Sequence, residues 1–130
     1  MANVPDALRY SKTHEWVSVS GDVATVGITD HAQAELGDIV YLDLPEAGRI
    51  LSEGAQFGEV ESVKAVSELF APVSGEVIEA NTGITDSTEV VNDDPYGKGW
   101  MIRIRLSNPS EVDALMNAGD YAKYADEGGH

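Results

Sequence analysis

The apolar residues of this chain fall into short runs, several alternating with polar ones at the period of two that marks strands. Trp16-Val17-Ser18-Val19 alternates, Ser20-Gly21-Asp22 supplies a turn, and Val23-Ala24-Thr25-Val26-Gly27-Ile28 continues as a second strand. Asp30-His31-Ala32-Gln33 has the spacing of a capping box, which predicts a short helix starting after residue 29 and stopping at Gly37. Ile39 to Leu44 is a β-branched, apolar-rich run closed by Pro45. Phe57-Gly58-Glu59-Val60 and Val66 to Phe70 then form two strand-like runs, which predict a hairpin with Lys64 near its tip. Ala71-Pro72-Val73-Ser74-Gly75 breaks this hairpin and launches Glu76-Val77-Ile78-Glu79-Ala80.

Residues 81–98, rich in Asn, Asp, Gly and Thr, read as a loop. Trp100 to Leu106 alternates cleanly and predicts a half-buried strand with Arg103 and Arg105 outward. Asn108-Pro109-Ser110-Glu111 offers a helix start, with Val112, Leu115 and Met116 on one face and Gly119 as its stop. That helix is expected to cover a sheet edge. Asp120 would cap a second short helix bearing Tyr121 and Tyr124, and the tail from Asp126 is expected to fray. Trp16 and Trp100 read as core, and Gly27 and Gly58 as points of close approach. The fold class is therefore mostly β, a sandwich or flattened barrel, in one domain of residues 1–130. Its β core spans about 7–107, and a helical segment covers about 108–127.

Charge changes this picture. Among 130 residues, 23 are acidic and 8 basic, for a net charge of −15, so nucleic acid and anionic membrane are disfavoured partners. Cysteine is absent, which removes disulfides, thiolate metal sites and cysteine nucleophiles. His14 and His31, beside Glu15 and Asp30, match no zinc spacing. Residues 1–5 have no basic start followed by an apolar run, so a cytoplasmic location is expected, or an organelle matrix for a processed form.

Lys64 is the single cation between Ile50 and Gly97, in company with ten acids. A surface built for solubility mixes both signs, so this isolation singles the lysine out. On spacing alone two readings stand, a site of covalent modification on a stiff turn and an ordinary surface lysine.

Taken together, the motifs resemble a known family. They are His14-Glu15-Trp16, Val26-Gly27-Ile28-Thr29, His31-Ala32-Gln33, Leu36-Gly37-Asp38, Leu42-Asp43-Leu44-Pro45, Glu61-Ser62-Val63-Lys64-Ala65, Ala71-Pro72-Val73-Ser74-Gly75-Glu76, Val91-Asn92, Asp94-Pro95-Tyr96 and Gly99-Trp100-Met101. The chain is similar over nearly its whole length to the H proteins of the glycine cleavage system, whose fold is of the hybrid lipoyl/biotinyl type. It departs at Thr88, where proline is expected, and at Glu68, where aspartate is common.

The resemblance implies lipoic acid in amide linkage on Lys64, within an attachment motif of Glu61, Ser62, Val63 and Ala65. It implies a carrier rather than an enzyme, with a lipoyl-attaching enzyme and three others as partners. A pyridoxal-phosphate glycine decarboxylase loads an aminomethyl group, a tetrahydrofolate-dependent aminomethyltransferase takes the methylene, and a flavin dihydrolipoyl dehydrogenase restores the disulfide. The loaded arm is cationic and labile in water, so a cleft should shelter it; Thr13, Glu15, His31 and Glu68 are the expected lining. The protein is expected to be monomeric.

Rival readings differ in checkable features. Biotinyl domains flank their lysine with methionine, whereas Val63 and Ala65 flank Lys64. Lipoyl domains of 2-oxo acid dehydrogenases commonly place aspartate before the lysine. An H-protein-like carrier that relays lipoyl groups to other proteins shares every motif. A Schiff-base lysine would need a lowered pKa, and surrounding carboxylates act the other way. An acidic interaction module would explain the charge and leave the lysine motif without a role.

Overall fold

The structure is a computed structural model that describes residues 3–127. Within these residues the elements follow in order: β1 (Arg9–Tyr10), β2 (Glu15–Ser20), β3 (Val23–Ile28), α1 (Asp30–Leu36), β4 (Ile39–Asp43), β5 (Ile50–Leu51), β6 (Gln56–Ser62), β7 (Val66–Phe70) and β8 (Gly75–Ala80). A 3₁₀ turn (Thr82–Thr85) precedes α2 (Glu89–Asp93), β9 (Ile102–Leu106), α3 (Ser110–Asp113) and α4 (Ala118–Asp126). The strands form a six-stranded sheet, β1-β2-β3-β9-β8-β5, and a three-stranded sheet, β4-β6-β7.

One apolar core joins the two sheets. Val17, Val26, Ile28, Val77, Ile102 and Ile104 of the large sheet meet Ile39, Leu42, Phe57, Val60 and Leu69 of the small one. Each fully buried side chain of this size contributes roughly 1.5–3 kcal/mol, which makes this contact the main source of stability. The alternation in β9 puts Ile102, Ile104 and Leu106 inward, while Arg103 and Arg105 face out. Gly58 lets β6 press against β4: a Cβ there would stand 2.1 Å from the Asp43 carbonyl oxygen. At Gly27 the closeness is to a side chain, because a Cβ would meet the indole of Trp16 at 2.8 Å.

A second, aromatic cluster of Tyr10, Trp16, Ala118 and Tyr121 lies beside the core. Tyr10 and Tyr121 stack with centroids 4.6 Å apart. The chain after α3 pairs with β1 through Met116 and Tyr10, whose backbone groups exchange two 2.9 Å hydrogen bonds. The exposed edge of the large sheet is closed in this way by the C-terminal segment.

Several expectations are corrected. The cap of α1 is Thr29, whose hydroxyl accepts from the Ala32 amide, and not Asp30. Asp30 Oδ1 accepts instead from the Gln33 side chain at 2.7 Å, while Gly37 does end the helix with φ 78°. The segment 81–98 is not a plain loop, since it carries the 3₁₀ turn and α2. Helix α3 is a single turn that ends at Asp113, well before Gly119. Gly119 lies inside α4, and Asn117, not Asp120, caps that helix by accepting the Asp120 amide. Trp100 is only half-buried, with the Arg103 guanidinium 4.1 Å above its ring. Strands β1 and β5, two residues each, are too short to leave a sequence signal. Of the tail, Asp126 closes α4, and residues 128–130 lie outside the described residues. No described helix is long and apolar enough to cross a membrane.

Replacing Gly58 by alanine should cost roughly 2 kcal/mol or more, because backbone stands where the methyl must go. Urea midpoints of the two proteins measure it. An unchanged midpoint would mean that β4 and β6 can separate freely.

Candidate functional site

Lys64 sits at the turn between β6 and β7. The turn is held from within by Ser62. Its hydroxyl accepts the amides of Lys64 at 3.3 Å and Ala65 at 3.1 Å, and donates to the Ala65 carbonyl. The Ser62 amide also donates to that carbonyl at 2.8 Å. From outside, the Val63 amide donates to the Asp38 carbonyl at 3.1 Å, tying the tip to the segment after α1. A Cβ on Gly37 would stand 3.6 Å from Lys64 Cε, so the glycine leaves room at the root of the lysine. Lys64, Val63 and Ala65 are exposed, whereas Ser62 is buried and Glu61 half-buried. Backbone and hydroxyl thus form a rigid pedestal beneath a free side chain.

Along the flank of the same hairpin runs a cleft of about 350 Å³. Val60, Ser67, Glu68 and Leu69 of the hairpin form one wall, and Ile28, His31 and Leu36 form the other. Thr13, Glu15, His31 and Glu68 all line it. They differ in kind: Glu15 is 1% exposed, His31 is half-buried, and Thr13 and Glu68 stand at the open rim.

The Glu15 carboxylate accepts Ser11 Oγ at 2.7 Å, the Thr13 hydroxyl, and the Phe70 amide at 3.3 Å. Burial pushes this carboxyl up to about 7, against hydrogen bonds from Thr13, Ser11 and Phe70 that favour the ionised form. The floor of the cleft is therefore an acid able to gain or lose its proton near neutral pH.

The rim is braced from behind by α4. The Tyr121 hydroxyl lies 2.8 Å from His14 Nδ1 and 2.7 Å from Thr29 Oγ1. Among described residues His14 is the one non-glycine with positive φ, at 69°, a conformation that costs of order 1 kcal/mol or more and persists only when its surroundings enforce it. Its ring faces His31 with centroids 4.9 Å apart. Among the described residues no three His, Cys, Asp or Glu side chains are grouped to hold a metal ion.

Sequence reasoning set His14 aside as a metal ligand in favour of hydrogen bonding, as its contact with Tyr121 has it, but missed Ser11, Thr29 and Tyr121 as its neighbours at the cleft. Ser11, Thr13 and Glu15 are spaced two apart, a polar signal that was available. Nothing local marks Tyr121, which is 107 residues from His14.

A family model described as glycine cleavage H-protein matches residues 8–128. The chain belongs to this family. Its members are lipoyl-bearing carriers and not catalysts. The glycine cleavage system H protein of Symbiobacterium thermophilum is 53% identical over 128 residues, covering 98% of this chain and 100% of its own. That of Rubrobacter xylanophilus is 54% identical over 127 residues, with 98% of each chain covered. The crystal structure of a glycine cleavage system H protein from Mycobacterium marinum superposes with a TM-score of 0.87 at 39% identity. It covers 95% of this chain and 99% of that one. The two-sheet architecture is the fold of that neighbour.

Thr88, where the family pattern led us to expect proline, donates its hydroxyl to the Ile39 carbonyl at 2.6 Å. A hydrogen bond here fixes the approach to α2 without a ring.

The Glu15 carboxyl ordinarily titrates near 4.5 and in the fold near 7, so the folded state holds this proton more tightly. The associated stability is complete below about 4.5 and is lost as pH rises through 7. Relative to Glu15→Gln, which is neutral throughout, the wild type should lose roughly 2 kcal/mol between pH 5 and pH 8.5. Paired urea titrations at the two pH values measure this. A gap between the two proteins that does not move with pH would contradict the assignment.

Proposed function

We propose that the whole chain works as one carrier domain, with a lipoyl group in amide linkage on Lys64 Nζ and the flanking cleft as shelter for the loaded arm. The observation that carries this reading is that one hairpin bears both features, the lysine at its tip and the cleft wall on its side. A lipoyl group there supplies the dithiolane sulfurs that a cysteine-free chain lacks. Amide formation removes one positive charge, taking the net charge from −15 to −15 − 1 = −16.

The residues of the chain do the rest. Ser62 keeps the tip from folding back, so the attachment point has a fixed position relative to the cleft. Val60, Ile28, Leu36 and Leu69 exclude water from the cleft walls. Glu15 serves as counter-ion, because a cation brought beside its carboxyl favours the ionised form. Its proton then leaves, and Ser11, Thr13 and the Phe70 amide already hold the carboxylate in place. Thr13, His31 and Glu68 offer polar groups nearer the mouth.

In this role the protein would meet glycine decarboxylase, the tetrahydrofolate-dependent aminomethyltransferase, dihydrolipoyl dehydrogenase and a lipoyl-attaching enzyme. A cytoplasmic setting fits the bacterial relatives, and a monomeric state belongs to the same reading.

If Glu15 shelters the cation, Glu15→Ala should release the loaded group into water about tenfold faster, the equivalent of roughly 1.4 kcal/mol. The release of methylamine from loaded wild-type and variant protein is the measurement. Equal rates would remove Glu15 from the account.

A further inference from the structure

We propose that the outer face of the three-stranded sheet is the docking surface for the enzyme that acylates Lys64, a protein with a basic, partly apolar surface around its lysine channel. This rests on Lys64 being the modified residue.

The register of the small sheet sorts its residues by face. Leu42, Val60 and Ser67 stand opposite one another, with Leu42 and Val60 in the core. The neighbouring rows therefore point outward: Tyr41, Glu61 and Val66 form one, and Asp43 and Glu59 begin the next, which ends on the edge strand at Glu68, where the face meets the rim of the cleft. The first row lies just below the Lys64 turn and leaves Tyr41 51% and Val66 61% exposed. Val63 adds a third apolar side chain on the turn itself, 70% exposed.

The second row sets three carboxylates side by side, and like charges directly opposite in a sheet are destabilising. Among the described residues none of the three joins an ion pair. The large sheet is built the other way: Glu76 stands opposite Arg105 and Glu79 opposite Arg103, each with its ion pair. The same chain thus pairs the outward acids of β8 with arginines on one sheet and leaves those of β4 and β6 without an ion pair on the sheet that carries the lysine. A row that sets exposed Tyr41 and Val66 on either side of Glu61, bordered by an uncompensated acidic row, complements a basic surface with apolar slots.

Geometry selects the acylating enzyme among the possible occupants. An enzyme acting on a loaded arm reaches it at the end of a long tether. The acylating enzyme must bring its reaction centre to Nζ itself, so the body of the carrier has to touch it. In that reaction Nζ, deprotonated, attacks the carbonyl of an activated acyl donor, a thioester or a mixed anhydride with a nucleotide. The C–N bond forms, the nitrogen gives up a further proton, and the thiol or nucleotide leaves. The face contiguous with the turn is then the face in contact.

The test is steady-state acylation of the full chain by a purified lipoate ligase with ATP and octanoate, followed by mass across Lys64. The paired substitution Tyr41→Ser with Val66→Ser should lower kcat/KM about tenfold through KM, as loss of apolar anchors does. Asp43→Asn with Glu59→Gln should flatten the fall of kcat/KM with salt. Glu76→Gln with Glu79→Gln, on the other sheet, should leave both unchanged. Urea midpoints check that each variant is folded, and release of methylamine from the cleft should stay at the wild-type rate. Face variants acylated at wild-type rates with wild-type salt dependence would overturn the proposal. So would equal losses in the control pair, or a wild-type dimer dispersed by Tyr41→Ser, which would assign the face to a second copy. A wild-type chain that takes no acyl group on Lys64 would instead overturn the carrier reading.

Discussion

The Glu15 carboxyl is the joint that ties the two sheets together at the floor of the cleft. It begins β2 in the large sheet, and its side chain accepts the amide of Phe70, which ends β7 in the small one. Ser11 and Thr13 hold the other oxygen. A charged group buried this deeply normally costs several kcal/mol unless it is paired or neutral. Here it sits among hydroxyls and one amide, with no ion pair among the described residues. The joint therefore carries polarity that a purely structural joint would not need.

Around this joint the two demands of a carrier are met by different parts of the chain. Rigidity of the Lys64 turn is mostly local, held by the Ser62 hydroxyl and the backbone of residues 62–65, with one outside tie from the Val63 amide to the Asp38 carbonyl. Rigidity of the cleft is long-range. The Tyr121 hydroxyl fastens His14 and Thr29, and Tyr121 itself is stacked on Tyr10. The C-terminal helix is thereby part of the cleft wall's support, and Ala125 reaches the cleft itself.

How much of this could be read from the sequence depends on distance along the chain. Alternation in Trp100 to Leu106 gave β9 because the face buried there is fixed by a strict period of two. The Lys64 hairpin was legible because both strands and their turn are consecutive. Helix ends were less so. Thr29 and Asp30 are both good caps, and the choice between them was made by the Tyr121 hydroxyl against Thr29, 92 residues away. The helix α2 hid within polar residues because it spans only five residues and offers just Val90 and Val91 to the core, too few to make an apolar stripe. The gathering of Thr13, Glu15, His31 and Glu68 at one cleft came from family resemblance, while Ser11, their partner in the fold, was one step back on the same alternation.

The central claim is that Lys64 is the attachment point, and intact mass of the protein from its native source, with peptide mapping across residues 61–65, tests it most directly. The account predicts a single lipoyl adduct confined to Lys64. A Lys64 that is unmodified in the native protein and refuses a lipoate ligase in vitro would contradict it, and a biotin adduct there would keep the architecture while assigning it to different chemistry.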